Sequence, residues 1–474
     1  MSKEILVQVA QGERRVAVLS DGKLDDFYIE LDRHQSMLGN IYKGKVESIL
    51  PSINGAFVNI GQEKNGFLYL TDADNPLLKE VDRIEEEPVV GVGQKIINMI
   101  FPAKPPDPAN PAFGGAEAAK PDQQPPQTAP PTAGQNPKQA RRSKQQQQPL
   151  PLKKDQEILV QVVKDPFGTK GPRLTTHISL AGRFVVYMPL DKHNGISKKI
   201  EKPEERQRLR DILKTFNFAR SGGFIVRTAS VDQGEKELTR DAKFLTAMWE
   251  KVRHLSKQKQ APALVYKEYD LIWKVVRDLL KDEVDRLIID SEEEFIKMRK
   301  FAQTISGQEM MDKIQHHQGP QPLFEAKNVA HELEKIYESK VYLKSGAYIV
   351  IEPTEGLIVV DVNSGRFKGR GTPEDASFAV NMEAAPEIAR QLRLRDLGGI
   401  IVIDFIDMNR EDHKRRVVNT LREELVKDHA KTEVNRISAL GLVEMTRART
   451  GKTIESLKFH ACPYCEGRGK VKID

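Results

Sequence analysis

Two aspartates near the C-terminal end of the chain each follow a run of β-branched and leucine residues. Asp361 ends the segment GLIVVD, which begins at Gly356, and Asp404 ends the segment GGIIVID, which begins at Gly398. Apolar runs without alternation are typical of strands that are buried on both faces. We therefore expect each aspartate to lie where a buried strand leaves its sheet.

The segment between these strands, from Pro373 to Leu397, has helical periodicity. If the strands are parallel and adjacent, the strand, helix and strand place both aspartates at the same sheet edge. Two carboxylates that converge there indicate a hard divalent cation, and Mg²⁺ is typically held by one or two carboxylates, waters and phosphate oxygens. The alternative is that each aspartate caps the next turn or pairs with a nearby arginine.

Composition restricts the class of protein only weakly. Lys and Arg total 74 against 68 Asp and Glu, a net charge of +6, which is a mild indication of a nucleic-acid partner. The length of 474 residues predicts about three domains. Two cysteines exclude a disulfide scaffold and fit a reducing cytosol. The start has no signal-peptide pattern and no run of 18 apolar residues occurs, so we predict a soluble, cytoplasmic protein and infer no membrane partner.

A small β-barrel is predicted over 40–70, where alternating residues are interrupted by glycines. From about 85 to 154 the chain becomes rich in proline and glutamine, which indicates a disordered insertion in one barrel loop. Two segments, Gly93 to Phe101 and Glu157 to Lys164, both resemble the next barrel strand, and the second leads directly into the strand that follows. Farther along, the pattern is mixed α/β and includes predicted helices at Tyr266 to Lys281 and Phe324 to Tyr337.

The barrel segment also carries aromatic residues among lysines. Phe57 and Phe67 stand among Lys43, Lys45 and Lys64. Rings on a barrel face beside ammonium groups suit single-stranded RNA, because bases stack on the rings while the lysines contact phosphates. The alternative is that both phenylalanines belong to the hydrophobic core.

The two cysteines form a single CxxC motif, Cys462 and Cys465. This is half of a tetrahedral thiolate zinc site, so two chains could each donate one half. A redox motif is one alternative, although the following glycines and the absence of a thioredoxin-like βαβ context argue against it. A mononuclear site that includes His460 is another.

Several segments together resemble the bacterial ribonuclease E/G family over nearly the whole chain outside the insertion. They are IYKGKV, GAFVNIG, NGFLYL, TKGPRLTTHISLAGR, IVRTA, DVNSG, EIARQLRLRDLGGIIVIDFIDM, GLVEMTR and CPYCEGRG. The resemblance implies a multidomain α/β protein in which an OB-fold barrel is inserted in a ribonuclease-H-like domain. The implied bounds are 1–35 and 273–336 for the ribonuclease-H-like domain, 36–176 for the OB fold, 177–272 for a 5′-phosphate sensor domain, 337–457 for a DNase-I-like catalytic domain and 458–474 for a zinc link.

The resemblance also implies residue roles. Asp361 and Asp404 stand at the positions of the family's Mg²⁺-binding aspartates, and Asn363 at that of an asparagine that helps to position metal or phosphate. The other implied roles are single-stranded RNA contact by Phe57, Phe67 and Lys170, a 5′-monophosphate pocket of Arg227, Thr228, Gly182 and Val186, and a structural Zn²⁺ shared by Cys462 and Cys465 of two chains.

The function expected from the resemblance is that of an Mg²⁺-dependent, single-strand-specific endoribonuclease. It would leave 5′-phosphate and 3′-hydroxyl ends, in RNA decay and in the processing of ribosomal and transfer RNA precursors. The main alternative is a non-catalytic RNA-binding protein built on the OB fold, and a DNA nuclease is disfavoured by the barrel motifs. A homodimer through the zinc link is expected. A tetramer is not expected, because in the family the domain that pairs two dimers follows the zinc link, at a position beyond Asp474.

Overall fold

The structure is a computed structural model that describes residues 2–73, 152–166, 168, 170–216, 222–367, 369, 372–449, 453–460, 462–465 and 469. The candidate strand Gly93 to Phe101 and almost all of the proline- and glutamine-rich insertion lie outside these residues. Among the described helices, none is long and apolar enough to cross a bilayer.

The described residues form strands and helices in mixed order. The strands are β1 Lys3–Ala10, β2 Glu13–Ser20, β3 Lys23–Leu31, β4 Ile41–Leu50, β5 Gly55–Asn59, β6 Gly66–Tyr69, β7 Glu157–Lys164, β8 Arg173–Thr175, β9 Leu180–Ala181, β10 Val185–Met188, β11 Gly195–Ile196, β12 Gly223–Val226, β13 Ala263–Tyr266, β14 Arg286–Ile289, β15 Ile314–His316, β16 Lys340–Tyr342, β17 Tyr348–Pro353, β18 Leu357–Asn363, β19 Gly399–Asp404, β20 Thr432–Ile437 and β21 Leu442–Arg447. The α-helices are α1 Pro203–Lys214, α2 Glu235–Gln258, α3 Leu271–Lys274, α4 Glu292–Ile305, α5 Gln308–Asp312, α6 Leu323–Ala326, α7 Ala330–Lys335, α8 Pro373–Leu394, α9 Glu411–Leu425 and α10 Ile454–Lys458. Short 3₁₀ turns span Asp32–His34, Pro51–Ile53, Leu70–Asp72 and Thr228–Ser230, and a π-helical turn spans Val275–Leu279.

Five strands close into a barrel in the order β4, β5, β6, β8 and β7, with β7 pairing back onto β4. Alternate residues such as Ala56, Val58 and Leu68 fill its interior. This barrel is the OB-like element that the sequence predicts, and of its two candidate strands Glu157–Lys164 is the one that the structure shows in place. Strand β13 extends the barrel sheet at β4.

Two further sheets precede the aspartate pair. The first joins the start of the chain to a distant segment in the strand order β15, β14, β1, β2 and β3, with β1, β14 and β15 parallel. The second has the order β11, β12, β10 and β9 and shares one hydrophobic core with α2. The chain thus returns to its first sheet after the barrel, and the domain bounds implied by the resemblance stay a prediction.

The C-terminal sheet holds both aspartates and has the order β16, β17, β18, β19, β21 and β20. Helices α8 and α9 pack together against one face of it. The opposite face, called the open face below, carries partly or fully exposed side chains, including Ile400 at 54 % exposure. The prediction that the two central strands are buried on both faces is therefore wrong, because both helices cover the same side.

Two predicted helices are shorter than the sequence pattern indicates. The helix predicted from Tyr266 begins at Leu271, because Tyr266 belongs to β13 and the Asp270 side chain caps α3 by accepting from the Trp273 N–H. The helix predicted from Phe324 is divided into α6 and α7 by Asn328, whose φ of 57° is left-handed and ends a helix.

Candidate active site and RNA-binding surfaces

Strands β18 and β19 are parallel and adjacent, and their register places Asp361 directly opposite Asp404. Neighbouring strands lie roughly 5 Å apart, so both carboxylates project from the open face at the same sheet edge. Both side chains are exposed. The convergence predicted from the two sequence segments is present.

The electrostatics of the pair fit a cation. Although the Asp404 side chain is exposed, a small loss of hydration, together with the charges of Asp361 and Asp407, raises its pKa. Within the described residues no lysine or arginine forms an ion pair with Asp361 or Asp404, so the alternative of arginine pairing finds no support. Asn363 Nδ2 donates to Asp361 Oδ2 at 2.7 Å and orients this carboxylate.

The donor set suits a hard cation that keeps open positions. No group of three or more metal-ligating side chains occurs in the part of the chain that the structure describes. Two carboxylates nevertheless match Mg²⁺, which usually takes its remaining ligands from water and phosphate oxygens. A cavity of about 450 Å³ lies at the loop that follows Asp404 and is lined by Asp407, although neither Asp361 nor Asp404 lines it. Asp407 was not singled out from the sequence, although it follows Asp404 by three residues in IDFID.

Helix α8 fixes the loop through which the chain leaves β19. Asn381 is fully buried, and its amide donates to the Ile406 carbonyl at 2.7 Å and accepts from the Ile406 N–H at 3.0 Å. The Glu374 carboxylate accepts hydrogen bonds from the backbone N–H groups of Asn409 and Arg410 at 2.8 and 3.1 Å. The two residues are seven positions apart on one helix face, so α8 holds both ends of the loop that carries Asp407.

Glu374 makes a further contact at the start of α9. His413 Nδ1 lies 3.1 Å from Glu374 Oε1, and its ring stacks on Phe378 with the ring centroids 4.0 Å apart. The backbone N–H groups of Asn409 and Arg410 and the His413 contact hold the pKa of Glu374 below its usual value. Glu374 and Asn381, which hold the loop after β19, are called the α8 clamp below. Sequence reasoning missed this clamp. The available signal was that these two polar residues are seven positions apart on a helix face that is otherwise apolar.

On the barrel, Phe57 and Phe67 lie on the outer face. They are opposite each other on β5 and β6, with ring centroids 5.7 Å apart, while the intervening Ala56, Val58 and Leu68 point inward. The structure thus does not support the alternative that both rings belong to the barrel core. Phe67 lies over Gly55, where a Cβ would collide with its ring, so this glycine makes room for the aromatic face.

Sequence reasoning missed two neighbours of these rings. Tyr69 contacts Phe67 edge to face with centroids 4.9 Å apart, and Arg173 on β8 lies over the Tyr69 ring at 4.6 Å. Because Phe67 and Tyr69 are two residues apart on one strand, alternation alone would have placed them on the same face. Phe57, Phe67 and Tyr69 are called the aromatic strip below.

The lysines near the aromatic strip differ in their contacts. Lys43 and Lys45 pair with Glu157 and Asp155 at 2.8 and 3.0 Å. Lys170 is exposed on the segment that leads into β8. The strip therefore adjoins positive charge, part of which is already neutralised within the protein.

The residues predicted to bind a 5′-phosphate lie at the end of β12 and around β9 and β10. Arg227 donates to the Gly182 carbonyl and pairs with Asp278 at 2.8 Å. Thr228 is exposed and follows Arg227 at the start of a 3₁₀ turn, and Val186 lies within β10 opposite Ile225. The structure joins Arg227 and Gly182 directly, and a phosphate would have to compete with Asp278 for the guanidinium.

Asp241 supports this region from α2. It is buried and accepts from the N–H groups of Phe184 and Val185 at 2.7 and 3.0 Å. A Cβ at Gly182 would collide with its carboxylate. Close packing of Asp241 against the turn at Gly182 therefore explains why this position takes a glycine.

Cys462 and Cys465 lie in one tight turn. Backbone N–H groups of Cys465 and Tyr464 and the neighbouring thiol lower the pKa of Cys462. The Gly469 N–H donates to Cys465 Sγ at 3.3 Å. The lowered pKa of Cys462 favours its thiolate, which is the form that binds zinc.

The sheet with its paired carboxylates and the OB-like barrel define a multidomain α/β protein, and comparison with known proteins gives the family. Residues 179–450 match the model of the ribonuclease E/G family. The chain belongs to this family, as its motifs predict.

The similarity extends over the whole chain. It is 39 % identical over 472 residues to ribonuclease G of Escherichia coli K12, covering 100 % of this chain and 85 % of that protein. It is 35 % identical to ribonuclease G of Haemophilus influenzae over 99 % of the chain and 84 % of that protein. Ribonuclease E of E. coli K12 is 34 % identical over the full chain, which spans 39 % of that longer protein.

Proposed function

We propose that this protein is an Mg²⁺-dependent endoribonuclease that cleaves single-stranded RNA and leaves 5′-phosphate and 3′-hydroxyl ends. Its membership of the ribonuclease E/G family supports the enzyme class. The observation that carries the metal-dependent chemistry is the register of β18 and β19, which sets Asp361 beside Asp404. RNA decay and the processing of ribosomal and transfer RNA precursors are the proposed settings.

In this proposal Asp361 and Asp404 hold the ion, and Asn363 keeps the Asp361 carboxylate oriented through its 2.7 Å hydrogen bond. When bound, Mg²⁺ would supply charge stabilisation at the scissile phosphate and would activate water. The α8 clamp contributes by fixing the loop from Ile406 to Arg410, so that the carboxylates need not reorganise when substrate arrives.

The barrel is proposed to bind the RNA strand. The aromatic strip offers consecutive rings for base stacking, and exposed Lys170 together with Arg173 offers charge for the backbone. Arg227, Thr228 and Gly182 are proposed to recognise a 5′-monophosphate, with Asp278 as the group that the phosphate displaces. Two chains are proposed to share one Zn²⁺ through Cys462 and Cys465.

A cleavage assay on 5′-monophosphorylated, A/U-rich single-stranded RNA tests the function, with Mg²⁺ titrated and product ends mapped. Asp361→Asn and Asp404→Asn should each slow cleavage more than roughly 100-fold, about 2.7 kcal/mol of barrier, without loss of folding or RNA binding. Asp312→Asn is the matched control, because Asp312 is exposed and lies on α5, away from the sheet. Near-normal turnover in both site variants would overturn the assignment.

The same assay separates the alternatives. RNA binding by the wild-type protein without Mg²⁺-dependent turnover would indicate a non-catalytic OB-fold RNA-binding protein. Equal turnover of a sequence-matched single-stranded DNA would indicate a nuclease without the proposed preference for RNA.

A further inference from the structure

The open face of the C-terminal sheet carries an aromatic and cationic patch next to the aspartate pair. Its members are Lys340 and Tyr342 on the edge strand β16 and Tyr348 on β17. Tyr342 is opposite Tyr348, which in turn is opposite Asn363. Residues that are opposite each other on neighbouring strands share a face, so the patch and Asn363 form one row across the sheet.

A second row ties the patch to Asp361. Lys340 is opposite Val350, and Val350 is opposite Asp361. Each step across the sheet is roughly 5 Å, so Tyr348 lies one strand from Asn363 and the edge strand lies two strands from Asp361. The patch is therefore within reach of a nucleotide whose neighbouring phosphate lies at the carboxylates.

The side chains of the patch are arranged as a stacking surface. Tyr342 is 67 % exposed, and its ring centroid is 6.0 Å from that of Tyr348 at an interplanar angle of 57°. Lys340 Nζ lies 3.5 Å from the centroid of Tyr348 and 5.0 Å from that of Tyr342. Among the described residues its ammonium group contacts these two rings and forms no ion pair with a carboxylate, so its charge is available to a phosphate.

Tyr348 is also in contact with the loop that follows Asn363. Gly365 has a φ of 54°, and a Cβ there would collide with the Gly346 carbonyl and lie 3.1 Å from Cδ1 of Tyr348. The Arg366 N–H donates to the same carbonyl at 3.2 Å. The hairpin that bears the patch and the loop that follows Asp361 and Asn363 are therefore packed together, which fixes the position of the rings relative to the carboxylates.

We propose that Tyr342, Tyr348 and Lys340 form a nucleotide-binding subsite that flanks the cleavage position, where one unpaired RNA base stacks on Tyr342 and its phosphate meets Lys340. This inference rests on the proposed function and deepens it, because it assigns part of the substrate contact to the catalytic sheet itself. Stacking requires a base that is free of a duplex, so the subsite also contributes to preference for single strands.

Binding titrations test the subsite in an Asp404→Asn background, where the RNA stays intact. Tyr342→Leu should weaken binding of single-stranded RNA by roughly 5-fold to 150-fold, whereas Tyr342→Phe should bind like the parent. Lys340→Met should reduce the dependence of the affinity on salt, by roughly 0.7 in the logarithmic slope for one lost phosphate contact. Tyr337→Leu is the matched control, because Tyr337 is an exposed tyrosine paired with Phe459 and is not on this sheet.

RNAs with a single abasic nucleotide identify the stacked base. The loss caused by Tyr342→Leu should disappear with the RNA that lacks one particular base beside the cleavage position and persist with the others. Unchanged affinity in Tyr342→Leu, or an equal loss with every abasic RNA, would overturn the subsite. These titrations need no turnover, so a failure of the proposed cleavage chemistry would show separately, as equal cleavage rates for the wild type and Asp404→Asn.

Discussion

Replacing Asn381 by alanine should both destabilise the protein and impair the candidate metal site. The Asn381 side chain is fully buried and makes two hydrogen bonds to the Ile406 backbone. The N–H and C=O groups of Ile406 each lose a partner, and at roughly 1 to 3 kcal/mol for each buried group the pair would cost roughly 2 to 6 kcal/mol. Ile406 is only partly buried, so water can satisfy some of the loss, and we expect the free energy of unfolding to fall by about 2 to 4 kcal/mol.

The functional consequence follows from where the loop leads. Ile406 lies between Asp404 and Asp407, so release of its backbone lets both carboxylates move away from Asp361. We expect the cleavage rate at saturating Mg²⁺ to fall at least about tenfold, because a displacement of a catalytic group near 1 Å can lower the rate on the order of 100-fold. We also expect half-maximal activity to require a higher Mg²⁺ concentration. Denaturant unfolding and Mg²⁺ titrations of cleavage on the same preparation give both numbers.

Asn419→Ala is the matched control, since Asn419 is exposed on α9 and the same substitution there should change stability by less than about 0.5 kcal/mol. If Asn381→Ala were destabilised as expected but kept its rate and Mg²⁺ dependence in the folded fraction, the clamp would be structural only. Unchanged stability would refute the reasoning at its first step.

Three further outcomes are expected. Phe67→Ala should weaken RNA binding by roughly 1 to 3 kcal/mol and should lower thermal stability less than a core substitution does. A binding titration and a melting curve measure the two effects. A large loss of stability with unchanged RNA affinity would contradict a stacking role. Arg227→Ala should slow cleavage of 5′-monophosphorylated RNA towards the rate of a 5′-hydroxyl substrate, and equal slowing of both would argue against recognition of the end. Cys462→Ala combined with Cys465→Ala should remove zinc and yield monomers, whereas the wild type should hold half a zinc ion per chain. Metal analysis gives the zinc content and light scattering across a range of concentrations gives the oligomeric state. One zinc per chain in the wild type would exclude a shared site.

Much of the site could be predicted from the sequence because the signals are local. A strand that ends in aspartate, a helix and a second such strand predict that Asp361 and Asp404 meet, since parallel adjacent strands share an edge. The position of Phe57 and Phe67 on a face of the barrel follows from alternation along single strands. The family was indicated by motifs that stand in the family's order along the chain. Each of these inferences needs only neighbours in sequence and a known geometry of one element.

Other features of the site depend on strand register and on packing between distant segments, and only the tertiary structure determines them. An apolar run does not reveal whether helices cover one face of a sheet or both, so the open face beside Asp361 could not be predicted. The row that joins Tyr342, Tyr348 and Asn363 exists because three strands pair in one register, which strand composition does not specify. Likewise, the contact between Asn381 and Ile406 forms across 25 residues, and only the packing of α8 against the sheet brings the two together.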